Sequence, residues 1–88
     1  MNKQKNSEEN SDENVFTTYD LGLAGALLAS GFKLKRLDRS NLRRALFVFE
    51  FKSGIDISAN RFFTDQLRVK ARSYFDCLKA LKNQLYTE

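Results

Sequence analysis

Ala45-Leu46-Phe47-Val48-Phe49-Glu50-Phe51 is the stretch that decides the fold. Ala45, Phe47, Phe49 and Phe51 fall on one side of an extended chain, with Leu46, Val48 and Glu50 on the other. That is the period-two pattern of a strand with one strongly apolar face. The strand is expected over Arg43 to Lys52, ended by Ser53-Gly54. Upstream, Asp38-Arg39-Ser40-Asn41 is turn chemistry, and Phe32 to Leu37 reads as a shorter strand that pairs with it as an antiparallel hairpin. The hairpin is dense in cations. Lys33, Lys35, Arg36, Arg39, Arg43 and Arg44 are opposed between positions 33 and 44 only by Asp38.

Helices flank the hairpin. Phe16-Thr17-Thr18-Tyr19-Asp20-Leu21 supplies an N-cap at Thr17, an Asp three residues later to complete a capping box, and Phe16 and Leu21 as a hydrophobic staple. The helix runs to Ser30 and stops at Gly31, a natural left-handed residue, with Phe32 folding back. Its apolar side chains spread widely around the wheel, while Gly22, Gly25, Ala26 and Ala29 form a stripe of small residues. Helical glycines cost about 1 kcal/mol each relative to Ala, so the stripe is expected to pack closely, against the domain's own sheet or against the helix of a partner copy. Gly22, Gly25, Ala26 and Ala29 are therefore interface candidates.

Ile55, Ala59, Phe62 and Phe63 have helical spacing within 55–66, with Asp56 or Ser58 as the cap. Leu67-Arg68-Val69 reads as a short extended connection and a candidate third, edge strand. From Lys70 to about Tyr86, the residues Ala71, Tyr74, Phe75, Leu78, Leu81 and Leu85 make one apolar stripe. On the other face, Arg72–Asp76 and Asp76–Lys79 are spaced to pair. The expected architecture is a small α+β domain in the order α-β-β-α-α, an antiparallel hairpin packed by helices.

Composition narrows the class. The chain has 88 residues and a net charge of +4, which allows one domain. Residues 1–14 hold no apolar side chain after Met1 and are expected to be a disordered polar tail, leaving 15–88 as the single folded domain. The tail carries Lys3 and Lys5 against Glu8, Glu9, Asp12 and Glu13, a balance of −2, so residues 15–88 carry +6. Such a balance speaks to partners rather than to fold. One cysteine, Cys77, cannot form an internal disulfide. No apolar run approaches the ~20 residues that cross a bilayer, and a cytoplasmic location with no membrane partner is expected.

Taken together, Thr18-Tyr19-Asp20-Leu21 before an Ala/Leu helix, Gly31-Phe32-Lys33-Leu34, Asp38-Arg39 before Arg43-Arg44, Phe47-Val48-Phe49-Glu50, Leu67-Arg68-Val69, Tyr74-Phe75 and Leu78-Lys79 with Leu81-Lys82 form a recognisable set. From about residue 17 to 86 the chain resembles a family of small bacterial and phage proteins labelled only as a domain of unknown function. The resemblance implies a small protein of bacterial or mobile-element origin with no assigned activity, and it transfers no catalytic residue.

Catalysis is not expected. The chain has no histidine, the commonest general base and a common metal ligand, and Cys77 on the last helix reads as a packing residue. The scattered carboxylates suggest no metal cluster, and no cofactor or small-molecule substrate is expected. The strand from Arg44 to Phe51 invites comparison with the aromatic strand of RNA-recognition domains. It lacks the glycine (Ala45 stands there), and the element order differs. Charge alone survives from that comparison. Lys33, Lys35, Arg36, Arg39, Arg43 and Arg44 are candidate nucleic-acid contacts, joined by Arg68, Lys70 and Arg72 if the fold brings them alongside. The expected function is a non-catalytic binding or regulatory module contacting a polyanion through the Lys33–Arg44 hairpin. The rival is a homodimeric protein-interaction adaptor, and a plain solvated basic surface is the simplest account of the charge.

Overall fold

The Phe47-Val48-Phe49 core of the hairpin becomes the middle of a three-stranded antiparallel sheet. The computed structural model describes residues 14–41 and 43–87. Along the chain run β1 (Val15–Thr18), α1 (Leu21–Ala29), β2 (Leu34–Asp38), β3 (Leu46–Glu50), α2 (Ile55–Phe63) and α3 (Ala71–Tyr86). The sheet order is β1-β3-β2. The α+β class stands, with one strand more than the hairpin. The expected tail lies outside the described residues except for Asn14, whose carbonyl accepts a hydrogen bond from the Phe51 N–H.

β3 is central because it is apolar on both faces. Phe47 and Phe49 are 2% and 0% exposed and face the helices, while Val48 on the outer face is 1% exposed. Thr17 and Arg36 lie directly across from Val48 on the flanking strands and shield it. Phe16 pairs with Phe49 on the core face. Leu34 and Leu37 are three residues apart, a spacing that simple alternation would split between faces. A bulge between Leu34 and Arg36 absorbs Lys35, so Leu34 pairs with Phe49, Leu37 pairs with Phe47, and both pack on the core. The strand ends at Glu50, so Phe51 leaves the core face and is 52% exposed.

Two local expectations are corrected at the start of the domain. Val15 to Thr18 form an edge strand rather than a helix entry, because β3 offers a free edge and Val, Phe and Thr suit a pleated surface. The cap of α1 is Asp20, not Thr17. The Asp20 carboxylate accepts the Leu23 N–H at 2.8 Å, and the Thr18 hydroxyl accepts the Asp20 N–H at 3.0 Å. At the far end the expectation holds. Gly31 takes φ +100°, its N–H reaches Leu28 O, and Phe32 N–H reaches Leu27 O at 3.0 Å, closing the helix as a Schellman motif.

α2 begins after Gly54 rather than with a side-chain cap at Asp56 or Ser58, and it stops at Phe63. Asp65, at φ +61°, turns the chain so that Gln66 N–H reaches Arg61 O at 2.7 Å. Leu67 to Val69 are an extended link and not a strand, since β1 supplies the third strand. α3 matches its expected span, with Leu81 buried and Tyr74, Leu78 and Leu85 half-buried, but Ala71 and Phe75 of the expected stripe are exposed.

The helices form one layer over the Phe47/Phe49 face, giving a body only 18 Å thick in its shortest extent. α1 is its keystone. At Gly25, a Cβ would stand 2.7 Å from Leu78 Cδ2 on α3, so glycine sets the interhelical distance. The Tyr74 hydroxyl donates to Gly22 O at 3.2 Å. The small-residue stripe therefore meets a helix of its own chain rather than the sheet. No helix among the described residues is long and apolar enough to cross a membrane.

Candidate functional site

The loop between β2 and β3 is held by its own polar side chains. The Asp38 carboxylate accepts from the Ser40 hydroxyl at 2.6 Å and from the Ser40 N–H at 2.9 Å. Those two bonds, with a lesser contribution from the charge of Arg36, keep the Asp38 pKa below its ordinary value. The Asn41 side chain accepts the Arg43 N–H at 2.8 Å. Two successive Asx turns thus fix the backbone that carries Arg39, Arg43 and Arg44.

Each of these arginines is held differently. Arg39 reaches across the domain and donates to Gln84 O at 2.7 Å and Leu85 O at 3.1 Å. Both carbonyls belong to the last turn of α3, where intrahelical partners run out and the helix dipole is negative. Arg44 lies over the Tyr19 ring, its Cζ 3.9 Å from the centroid. The Arg43 side chain is exposed and makes no hydrogen bond or ion pair among the described residues.

The docking of Arg39 brings the hairpin end, the entry to α1 and the exit of α3 around one concavity of about 530 Å³. The three arginines line it together with Tyr19 and Tyr86, which are 43% and 82% exposed. Leu21, Ala45, Phe47 and Leu85 give it an apolar floor, and no carboxylate of the described residues lines it. A cationic rim over an apolar, aromatic-walled hollow suits a ligand that is anionic at one end and flat or apolar at the other.

The remaining candidates lie elsewhere. Arg36 is on the outer face of the sheet opposite Val48, and Lys35 is the bulge residue. Lys33 sits at the other end of β2, about 20 Å from Arg39 at strand rise. There it lines a smaller hollow of about 220 Å³ shared with Glu50 and Lys52. Arg68 lies in the link before α3, Lys70 caps the helix and Arg72 is in its first turn, which puts Lys70 about 22 Å from Leu85 along the helix, and Arg72 pairs with Asp76 at 3.2 Å. The structure does not bring these three to the hairpin end. Of the interface candidates, Gly25 and Ala26 are buried, while Gly22 and Ala29 are half-buried.

Tyr19, Tyr86, Leu21 and Leu85 escaped the sequence reading, which placed them only as parts of helices. No local signal marks them, because the contact that assembles the hollow spans 45 to 46 residues.

The model of one protein family matches residues 13–87. The chain belongs to DUF5659, a domain of unknown function. No curated protein and no solved structure matches it. In this DUF5659 domain the match spans every strand and helix described above. Cys77 is a half-buried free thiol. Among the described residues, no group of three or more His, Cys, Asp or Glu side chains is placed to hold a metal ion.

Proposed function

We propose that this domain is a non-catalytic binding module of the cytoplasm that contacts nucleic acid through the basic hairpin Lys33–Arg44, centred on its Arg39–Arg44 end. One observation carries the reading. Three arginines converge on a single hollow that no carboxylate of the described residues lines, and the side chain of one of them, Arg43, has no hydrogen-bond or ion-pair partner among those residues. A guanidinium without an acidic partner at the edge of a cavity suits phosphate, which it can engage with two parallel hydrogen bonds. Lys35 and Arg36 extend the positive surface along β2. The adaptor reading through the small-residue stripe has less in its favour, because α3 of the same chain packs against Gly22 and Gly25.

The proposal is tested by titrating a short oligonucleotide into isotope-labelled protein and following backbone amide shifts. Shifts concentrated at residues 38–45 and 84–87 are expected. Shifts confined to α2 or the start of α3, or none at low salt, would end the proposal.

A further inference from the structure

We infer that the hairpin-end hollow receives one unstacked nucleotide of a single-stranded chain, its base against the Arg44–Tyr19 stack and Tyr86, its phosphate at Arg43. The inference rests on the nucleic-acid reading above and names the form of nucleic acid that this site takes.

Shape is the first argument. Contact with duplex phosphates needs only protruding cations, and a concavity adds nothing to it. The hollow, at about 530 Å³, lies within the ~300–1,000 Å³ range typical of ligand pockets, large enough for a nucleotide unit. A paired base lies inside its stack and cannot enter. A base on a single strand is free to turn out.

The walls are the second argument. Single-strand binders combine a positive groove with aromatic rings on which bases stack, and guanidinium planes serve the same purpose. Arg44 sits over Tyr19, and both line the hollow where a base would lie. Tyr86, at 82% exposure, is the most exposed of the large apolar or aromatic side chains among the described residues, and it lines this hollow. Exposing a ring beside arginines is unfavourable for burial but well suited to stacking.

The third argument is pre-organisation. Arg39 ties the hairpin end to the last turn of α3, and the Asx turns at Asp38 and Asn41 fix the loop. The walls therefore stand at fixed separation before any strand arrives, which lowers the ordering cost of binding. Arg39 is a positioning residue here, whereas Arg43 and Arg44 touch the strand.

The test uses the full chain with a fluorescent ten-nucleotide single-stranded DNA, the matching RNA, and the corresponding DNA duplex. Wild type is compared with Tyr86→Ala and Arg43→Gln. Both side chains are exposed, and thermal melts confirm folding. Either single strand should bind at least tenfold tighter than the duplex, the stronger of the two identifying the sugar. Tyr86→Ala should weaken the single strand roughly tenfold without altering its salt dependence, as loss of a stacking ring does. Arg43→Gln should lower the slope of log K against log salt by about 0.7, the value for one single-strand phosphate. A 2-aminopurine in the strand should change emission with wild type and not with Tyr86→Ala. Equal binding of duplex and single strand, indifferent to Tyr86→Ala, would overturn the inference while leaving the hairpin contact standing. Absence of binding by all three at low salt would overturn both.

Discussion

Gly25→Ala sets two opposed effects against each other, and the structure decides which prevails. The added methyl would lie 2.7 Å from Leu78 Cδ2, 3.1 Å from Leu78 Cγ and 3.4 Å from Tyr74 Cε1. Alanine gains about 0.8–1.0 kcal/mol over glycine in helix propensity, while overpacking costs about 1–3 kcal/mol. Leu78 Cδ2 can rotate away, but Cγ moves only with the whole side chain, and Tyr74 closes one direction of escape. The expected net loss is about 1 kcal/mol, a fall in Tm of roughly 4–8 °C for a domain of this size. Leu78→Ala alone should cost about 2 kcal/mol, at the low end for buried leucines because this one is half-buried. In that background the obstruction is gone and only the propensity gain remains, so Gly25→Ala should stabilise by about 1 kcal/mol. Urea unfolding of the four proteins should therefore give a coupling of about 2 kcal/mol. A Gly25→Ala effect of the same sign and size in both backgrounds would refute the α1–α3 packing described here.

Three further outcomes follow from local geometry. Arg39→Ala should destabilise by about 1 kcal/mol through loss of its two bonds to the α3 carbonyls, and Arg43→Ala should leave the melt unchanged; equal melts for the two variants would contradict the docking. The Asp38 pKa is depressed by Ser40, so its contribution to stability is complete above the unfolded carboxylate pKa and is lost as pH falls through the folded value. Wild type should accordingly lose more stability on acidification below pH 3.8 than Asp38→Asn, and parallel curves would show that the Asx turn carries no linkage. Asp65 occupies left-handed backbone at φ +61°, so Asp65→Gly should raise stability by roughly 0.5–1 kcal/mol, measured as a higher urea midpoint; a lower midpoint would count against the left-handed turn that ends α2.

Elements with strong local signals were legible in the sequence. The alternation of β3, the turn residues at 38–41, the Gly31 stop and the apolar stripe of α3 each specify their own structure within a few residues. β1 was not legible. Four residues, Val15 to Thr18, show no clear alternation, and the Thr17–Asp20 spacing imitates a capping box that the real cap, Asp20, displaces by three positions. The glycines of α1 announced a close neighbour without saying which, and the answer is Leu78, 53 residues away from Gly25. The bulge at Lys35 has no sequence mark beyond the three-residue spacing of Leu34 and Leu37.

The candidate site divides the same way. Its charge could be read directly, because Arg39, Arg43 and Arg44 fall within six residues. Their differing roles could not. Arg39 is engaged at the far helix end, Arg44 on a ring at the entry to α1, and the Arg43 side chain with nothing among the described residues. Arg68, Lys70 and Arg72 were grouped with them on charge alone, and the length of α3 holds them apart.

The salt dependence of oligonucleotide binding tests the central claim most directly, measured on wild type and on an Arg43→Glu/Arg44→Glu variant that keeps Arg39 and so keeps α3 docked. With two arginines, Arg43 and Arg44, on the strand, the slope expected for a single strand is about −1.4, so raising salt from about 50 to about 200 mM should weaken wild-type binding roughly sevenfold. The variant should bind little at either salt while remaining folded, its melt lowered only by the loss of the Arg44–Tyr19 contact. Equal affinity of the two proteins, or a wild-type affinity indifferent to salt, would contradict the account.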